Sequence, residues 1–544
     1  MIGALRAALA CMVLSTSVAA AVPDGPSPAD RLGLYARGDF VVTTGENAAL
    51  APAARWLFAQ EWIAVPREGV ATAGHGIGID AFEDVRAWAA SAEARTAQDL
   101  RPPLVWIAAP ERVRGARLAA DAASATIEGR ERRLLLGPRL TSNLSWFDGS
   151  SAAFFAPLPV ALRGTSLADG GFEARTLWPE SFRLDERGAV LPLDVAGGDE
   201  EAALRALVRA DDGGARTPWS TRVLWERAGV SRSWSGKTAL IVMVNGAQGD
   251  DDEAWGGHFA VGTGRVGRDG DLADILVDNF YSLDVVSEKG ILAAPVPLDN
   301  YLADLNSGQA WYRPSAILVA VLADPAAAAR VQAAFHRVYA QFWRHQLPYR
   351  HTTLNCAGIS VDTLRAFGWT LPGRAPGALA HIAAWLAVPV TLAKEGSVTQ
   401  ARGAYEYLTQ DRERLFPAVA FEAVAGSLLR LAGSNPGRDA SEVERLLARD
   451  LEALVFVHVP QLPSSRAAGS WPVASPLEYH GKVPRDPADV KRVPVPARPF
   501  PSTLRDPDLL PEPRRPSDLP LAVWAVVGVA AVAGAIAWLV VRLR

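Results

Sequence analysis

Cys356 and His258 are the residues of this sequence whose types and settings suit covalent chemistry. Cys356 stands in Thr353-Leu354-Asn355-Cys356-Ala357-Gly358-Ile359, where Thr352 or Asn355 can cap a helix running through Ile359, Leu364 and Phe367 to a stop at Gly368. A helix start offers unpaired amides and the positive end of the macrodipole, which favour a thiolate, the nucleophilic form of cysteine. The competing reading is an inert, buried cysteine acting as a small hydrophobe. His258 follows Trp255-Gly256-Gly257 and opens the run Phe259-Ala260-Val261. A histidine at a strand end can present its ring to a cysteine on a facing helix and serve as its base. A third polar group usually orients such a ring. Val277-Asp278-Asn279-Phe280 offers two. Asn279 alternates in phase with Ala273, Ile275 and Val277 and is the preferred one; a one-residue change of register exchanges it for Asp278. His351, on the approach to the cysteine helix, is a second candidate base.

These residues need elements to hold them. Ala239-Leu240-Ile241-Val242-Met243-Val244 reads as a buried strand, His258 starts a second, Gly267-Arg268-Asp269-Gly270 is turn chemistry, and residues 272–280 form a third, giving antiparallel hairpin geometry. Val331, Phe335, Val338 and Phe342 recur at spacings of three and four, predicting an amphipathic helix over 325–344. Beyond Pro372, residues 378–388 (closed by Pro389), 398–408 and 440–455 read as further helices. Residues 29–235 mix short apolar runs with Gly, Pro and Asp punctuation and read as an α+β or β-rich region without a chemical signature.

Length and composition set outer limits. The 544 residues amount to three or four domains of ordinary size. Lys+Arg total 55 against 59 Asp+Glu, a net charge of −4 with no long basic run, so nucleic acid is not an expected partner. Residues 1–21 read as a secretory signal, with Arg6, an apolar stretch and Ala19-Ala20-Ala21, and cleavage there removes Cys11. Cys356 is then the one thiol of an exported chain, excluding an internal disulfide and a cysteine-rich zinc module. An unpaired thiol in an oxidising compartment risks cross-linking, which favours a chemical reason for keeping it. Residues 521–541 are uncharged, include Trp524 and Trp538, and precede Arg542 and Arg544, so the stretch 519–541 is expected to span a membrane with the body outside the cytoplasm. The Pro-rich segment 470–518 reads as an extended spacer.

Other motifs carry less. Asp250-Asp251-Asp252-Glu253 is either a calcium or cation site or a solvated loop; His75 in Gly74-His75-Gly76 has no partner in sequence. Gly236-Lys237-Thr238 lacks the earlier glycine of a phosphate loop, Ser231 standing there, and neither HExxH nor Gly-x-Ser-x-Gly occurs. No metal or cofactor is expected.

The pair Trp255-Gly256-Gly257-His258-Phe259-Ala260-Val261 and Thr353-Leu354-Asn355-Cys356-Ala357-Gly358-Ile359, in that order, resembles the circularly permuted papain-like superfamily. That superfamily includes the lecithin retinol acyltransferases and permuted relatives of the NlpC cell-wall peptidases. Within it the chain is most similar to the periplasmic domain of the bacterial lipoprotein N-acyltransferases (Lnb), including an aromatic-rich strand between the motifs and a tyrosine, Tyr349, before Asn-Cys. The resemblance covers about residues 238–372. It departs at Phe259, at Ala357-Gly358 and in having one membrane span.

The expected architecture is α+β: a signal peptide (1–21), an N-terminal α+β domain (22–235), a papain-like catalytic domain of antiparallel sheet and helices (236–372), a helical lobe (373–469), a Pro-rich linker (470–518) and a transmembrane helix (519–541). The expected activity is acyl transfer through a thioester on Cys356, with His258 as base and Asn279 orienting it, on lipid or lipoprotein. A cell-wall peptidase or amidase acting on peptidoglycan and a noncatalytic envelope scaffold remain open as alternatives.

Overall fold

In the computed structural model, the described residues are 31–67, 80–137, 147–195, 198–209, 218–246, 256–283, 291–306, 314–463, 472–482 and 501–504. The signal-peptide and membrane-span segments, Trp255, His75 and the acidic run 250–253 lie outside them, as does most of the expected spacer; its described start is not extended, Pro472 and Val473 being buried and Pro476–Lys482 helical. Among the described residues no helix is long and apolar enough to cross a membrane.

The apolar run after Thr238 forms the middle of a strand in which every residue is buried, Thr238–Asn245. Such continuous burial requires cover on both faces, and the strand lies centrally in a seven-stranded sheet. Its members in chain order are β1 (Ser220–Glu226), β2 (Thr238–Asn245), β3 (His258–Arg265), β4 (Leu276–Asn279), β5 (Ala294–Pro297), β6 (Ser315–Leu322) and β7 (Leu451–Val459). Their spatial order is β1-β7-β6-β2-β3-β4-β5, antiparallel throughout. The expected hairpin is present as β2-β3-β4.

The helices that accompany the sheet include α1 (Leu298–Ala303), α2 (Ala326–Phe342), α3 (Cys356–Ala366), α4 (Ala378–Glu395), α5 (Val398–Thr409), α6 (Pro417–Leu431) and α7 (Glu442–Asp450). α2, α3 and α6 pack on β3, and α6 also covers β2. Thr263 Oγ1 donates to Gln332 Oε1 at 2.8 Å, fixing α2 on the face of β3 that carries Val261 and Thr263.

The fold is mixed α+β, and the sheet reaches beyond residues 236–372 on both sides through β1 and β7. Residues 440–455 are not one helix: α7 ends at Asp450 and Leu451-Glu452-Ala453-Leu454-Val455-Phe456-Val457-His458-Val459 continues as a strand. Its β-branched and aromatic residues fit between β1 and β6, where nearly all of it is buried. The stretch 373–469 is therefore helical only as far as Asp450. Pro389 does not close α4, which continues to a left-handed Gly396.

The N-terminal region contains a three-stranded sheet (Phe40–Thr44, Trp62–Pro66, Val105–Trp106) and a closed five-stranded barrel drawn from residues 111–179. Buried ion pairs bind the barrel to α1 and its neighbours: Arg163 to Asp299 (2.8 Å) and Asp274 (3.0 Å), and Arg175 to Asp304 (3.1 Å). Removing one partner of such a desolvated pair costs about 3–5 kcal/mol, so these contacts fix how the barrel meets the sheet.

Candidate active site

Cys356 is the first residue of α3, and its neighbour Asn355 is the cap. Asn355 Oδ1 accepts from the amides of Ala357 (3.0 Å) and Gly358 (3.2 Å), while Nδ2 donates to the carbonyls of His351 (3.2 Å) and Leu415 (2.9 Å). All the hydrogen-bonding capacity of this one side chain goes into holding the helix start. The Cys356 amide donates to Tyr349 Oη at 3.4 Å, and the residue is 3% exposed.

His258 begins β3 after a glycine whose backbone and surroundings disfavour any side chain. Gly257 has φ +74°, and a Cβ there would lie 2.4 Å from the Asn245 carbonyl oxygen and 2.4 Å from Pro472 Cβ. Register pairs Asn245 with His258 and with Ser315, so three polar residues form one row across β6, β2 and β3 at one end of the sheet. Asn245 Nδ2 donates to Ser315 Oγ at 2.7 Å and Oδ1 accepts from the Tyr301 hydroxyl. The Tyr301 ring centroid is 6.3 Å from that of His258, which is 3% exposed.

Two chains of contacts place the starts of β3 and α3 at the same end of the sheet. In the first, Pro472 closes on Gly257, Val473 packs with Leu415 and Phe416, and the Leu415 carbonyl holds Asn355. In the second, Tyr281, two residues past β4, lies 6.3 Å from Tyr349 between ring centroids, and Tyr349 takes the Cys356 amide. His351 is also nearby, its ring 5.0 Å from Tyr349, but it is exposed.

Asn279 and Asp278 point to opposite faces. Val261 pairs with Asp278 and Gly262 with Val277, so alternation puts Asn279 on the face of His258 and Asp278 on the face of α2. Asn279 Nδ2 donates to the Leu292 carbonyl at 3.1 Å; its buried Oδ1 has no hydrogen-bond partner among the described residues and remains an acceptor.

Asp278 meets His336 of α2, Oδ1 to Nε2 3.8 Å, both fully buried and without hydrogen-bond partners among the described residues. Burial pushes the Asp278 carboxyl well above its ordinary range and His336 down to about 3, so His336 is uncharged at neutral pH and the contact is not an ion pair. The folded pKa of His336 lies below its unfolded value. As pH falls from about 6.5 the unfolded chain gains a proton that the folded one refuses, and stability is lost. Chemical denaturation of His336→Gln should show this: compared with wild type, the variant gains about 2 kcal/mol in relative stability between pH 7 and pH 4.5.

The sequence reading did not find Asn245, Ser315, Tyr301 or Pro472. Asn245 carried a signal, a polar residue closing a wholly apolar strand. Tyr301 and Pro472 reach the site only by tertiary packing. Among the described residues no group of three His, Cys, Asp or Glu side chains is arranged to hold a metal ion. The chain matches no protein-family model, no curated protein and no solved structure.

Proposed function

We propose that this chain is a membrane-tethered, extracytoplasmic cysteine enzyme of papain-like, circularly permuted type that transfers acyl groups of lipid or lipoprotein through a thioester on Cys356. The observation that carries the reading is the convergence of two starts: the helix beginning with Cys356 and the strand beginning with His258 lie at one end of the sheet, each locked by its own device, the Asn355 cap and Gly257.

In this reading His258 takes the thiol proton and the Cys356 sulfur attacks the acyl carbonyl. The tetrahedral intermediate collapses, the bond to the leaving oxygen breaks, and that oxygen takes the proton from His258. An amine or water, deprotonated by His258, then attacks the thioester, and the thiol regains its proton. Asn279 shares the histidine's face and offers Oδ1 as an acceptor for a ring N–H, a positioning role. Asn279→Ala should lower kcat about ten- to a hundredfold with little change in KM, measured by single-turnover and steady-state kinetics. The segment 519–541 would anchor the body, with the Pro-rich stretch after Lys482 as spacer.

Mass spectrometry of the purified protein after incubation with phospholipid tests the assignment. An acyl mass on Cys356, lost in His258→Ala, is the expected result. No adduct with phospholipid, together with cleavage of muropeptides, would move the activity to cell-wall peptide; no adduct and no cleavage would leave a scaffold.

A further inference from the structure

Four arginines, Arg205, Arg209, Arg374 and Arg412, line a cavity of about 570 Å³, together with Val419 and Glu478. Three are held by carboxylates: Arg205 by Glu422 (2.8 Å), Arg209 by Glu478 (3.0 Å) and Arg374 by Glu201. Arg412 is exposed and has no ion-pair partner among the described residues. The cavity thus carries an excess cation beside three braced guanidinium groups, and its volume falls within the roughly 300–1,000 Å³ of ligand pockets.

Arg374 and Arg412 also bracket the α4–α5 hairpin. On α4, Leu379, Ile382, Leu386 and Val390 follow one another at spacings of three and four, and they are 82%, 57%, 54% and 66% exposed. No Asp, Glu, Lys or Arg occurs between Arg374 and Lys394. Trp385 packs on Tyr405 of α5 (ring centroids 4.9 Å apart), fixing the hairpin's inner face. The aliphatic ridge, Leu379 to Val390, runs along about 17 Å of helix with its apolar side open.

Cavity and ridge both adjoin the Cys356 end of the sheet. Gln410, between α5 and Arg412, donates Nε2 to the Thr353 carbonyl at 3.0 Å, and Pro472, which closes on Gly257, shares a neighbouring pocket with Arg205, Arg209 and Val244. A cationic cavity alone suits any anion, and an apolar ridge alone suits any apolar partner. An amphiphile with a phosphate at one end and acyl chains at the other suits the two side by side. We propose that the arginine-lined cavity binds the phosphate of a membrane phospholipid, with the aliphatic face of α4 against its acyl chains. This deepens the proposed function by naming the phospholipid as the acyl source, and it rests on that reading.

The test is calorimetric titration of the full chain in detergent micelles with dihexanoylphosphatidylglycerol, with glycerol 3-phosphate and inorganic phosphate as separate arms. The lipid should bind at least tenfold more tightly than either soluble phosphate. Arg412→Gln should weaken lipid and glycerol 3-phosphate about tenfold, and Leu386→Ser should weaken the lipid alone. Both replace exposed side chains, and unfolding curves check that they fold. Cys356→Ala should bind the lipid like wild type, so binding without turnover separates this site from the catalytic assignment. Equal affinity for lipid and inorganic phosphate would make it a free-anion site and overturn the proposal, as would lipid binding indifferent to Arg412→Gln, or no binding.

Discussion

Cys356→Ala and His258→Ala should each lower acyl transfer by a factor on the order of 10⁴ or more, and the double variant should be scarcely slower than either one. Nucleophile and base act as one unit, so removing the second member takes away little that the first removal left. Neither change should unfold the protein. Asn355, not Cys356, supplies the cap of α3, and the β2–β3 pairing that carries His258 is made by backbone. Steady-state kinetics on the three variants decides the matter. Independent, multiplicative losses would show that the two residues do not share a step, and near-normal activity in His258→Ala with loss in His351→Ala would transfer the base to His351.

Gly257→Ala should also be damaging, to a smaller extent and through structure. An alanine held at φ +74° costs about 1 kcal/mol, and its Cβ, 2.4 Å from the Asn245 carbonyl oxygen and from Pro472, must push both away. Those are the groups that align the polar row and close the contact chain to Asn355. The expected loss is about 2–4 kcal/mol of stability, and about a hundredfold in kcat/KM, the cost of displacing a catalytic group by about 1 Å. Gly256→Ala is the matched control. Among the described residues a Cβ there meets nothing within 4 Å, and its φ is not in the left-handed region, so stability and rate should stay close to wild type. Denaturant unfolding and kinetics on the two alanine variants, side by side, test this.

How much of this could be read from sequence depended on whether the signal was local. The apolar run of β2, the amphipathic spacing of α2 and the Asn355 cap are local patterns, and each appears where its residues put it. The split between Asn279 and Asp278 also follows from alternation, once the register of β3 and β4 is known. The first half of β7 was read as helix because the residues before it, Glu442 to Asp450, are helical, and nothing local marks Leu451 as the start of a strand that pairs with β6, more than a hundred residues earlier. Tyr301 and Pro472 arrive from elements far from His258 in the chain. The arginine cavity escaped for the same reason: Arg205, Arg374 and Arg412 sit in three separate stretches, and only packing brings them together.

The central claim is that Cys356 is a thiol activated by its helix start and by His258. Alkylation of the full chain by iodoacetamide across pH, in wild type and in His258→Ala, read at the Cys356 peptide by mass spectrometry so that Cys11 does not contribute, is the decisive measurement. The expected wild-type midpoint lies well below the about 8.5 of an ordinary cysteine, with slower, right-shifted alkylation in His258→Ala. A wild-type thiol that alkylates with an ordinary midpoint, or not at all in the folded protein, would contradict it.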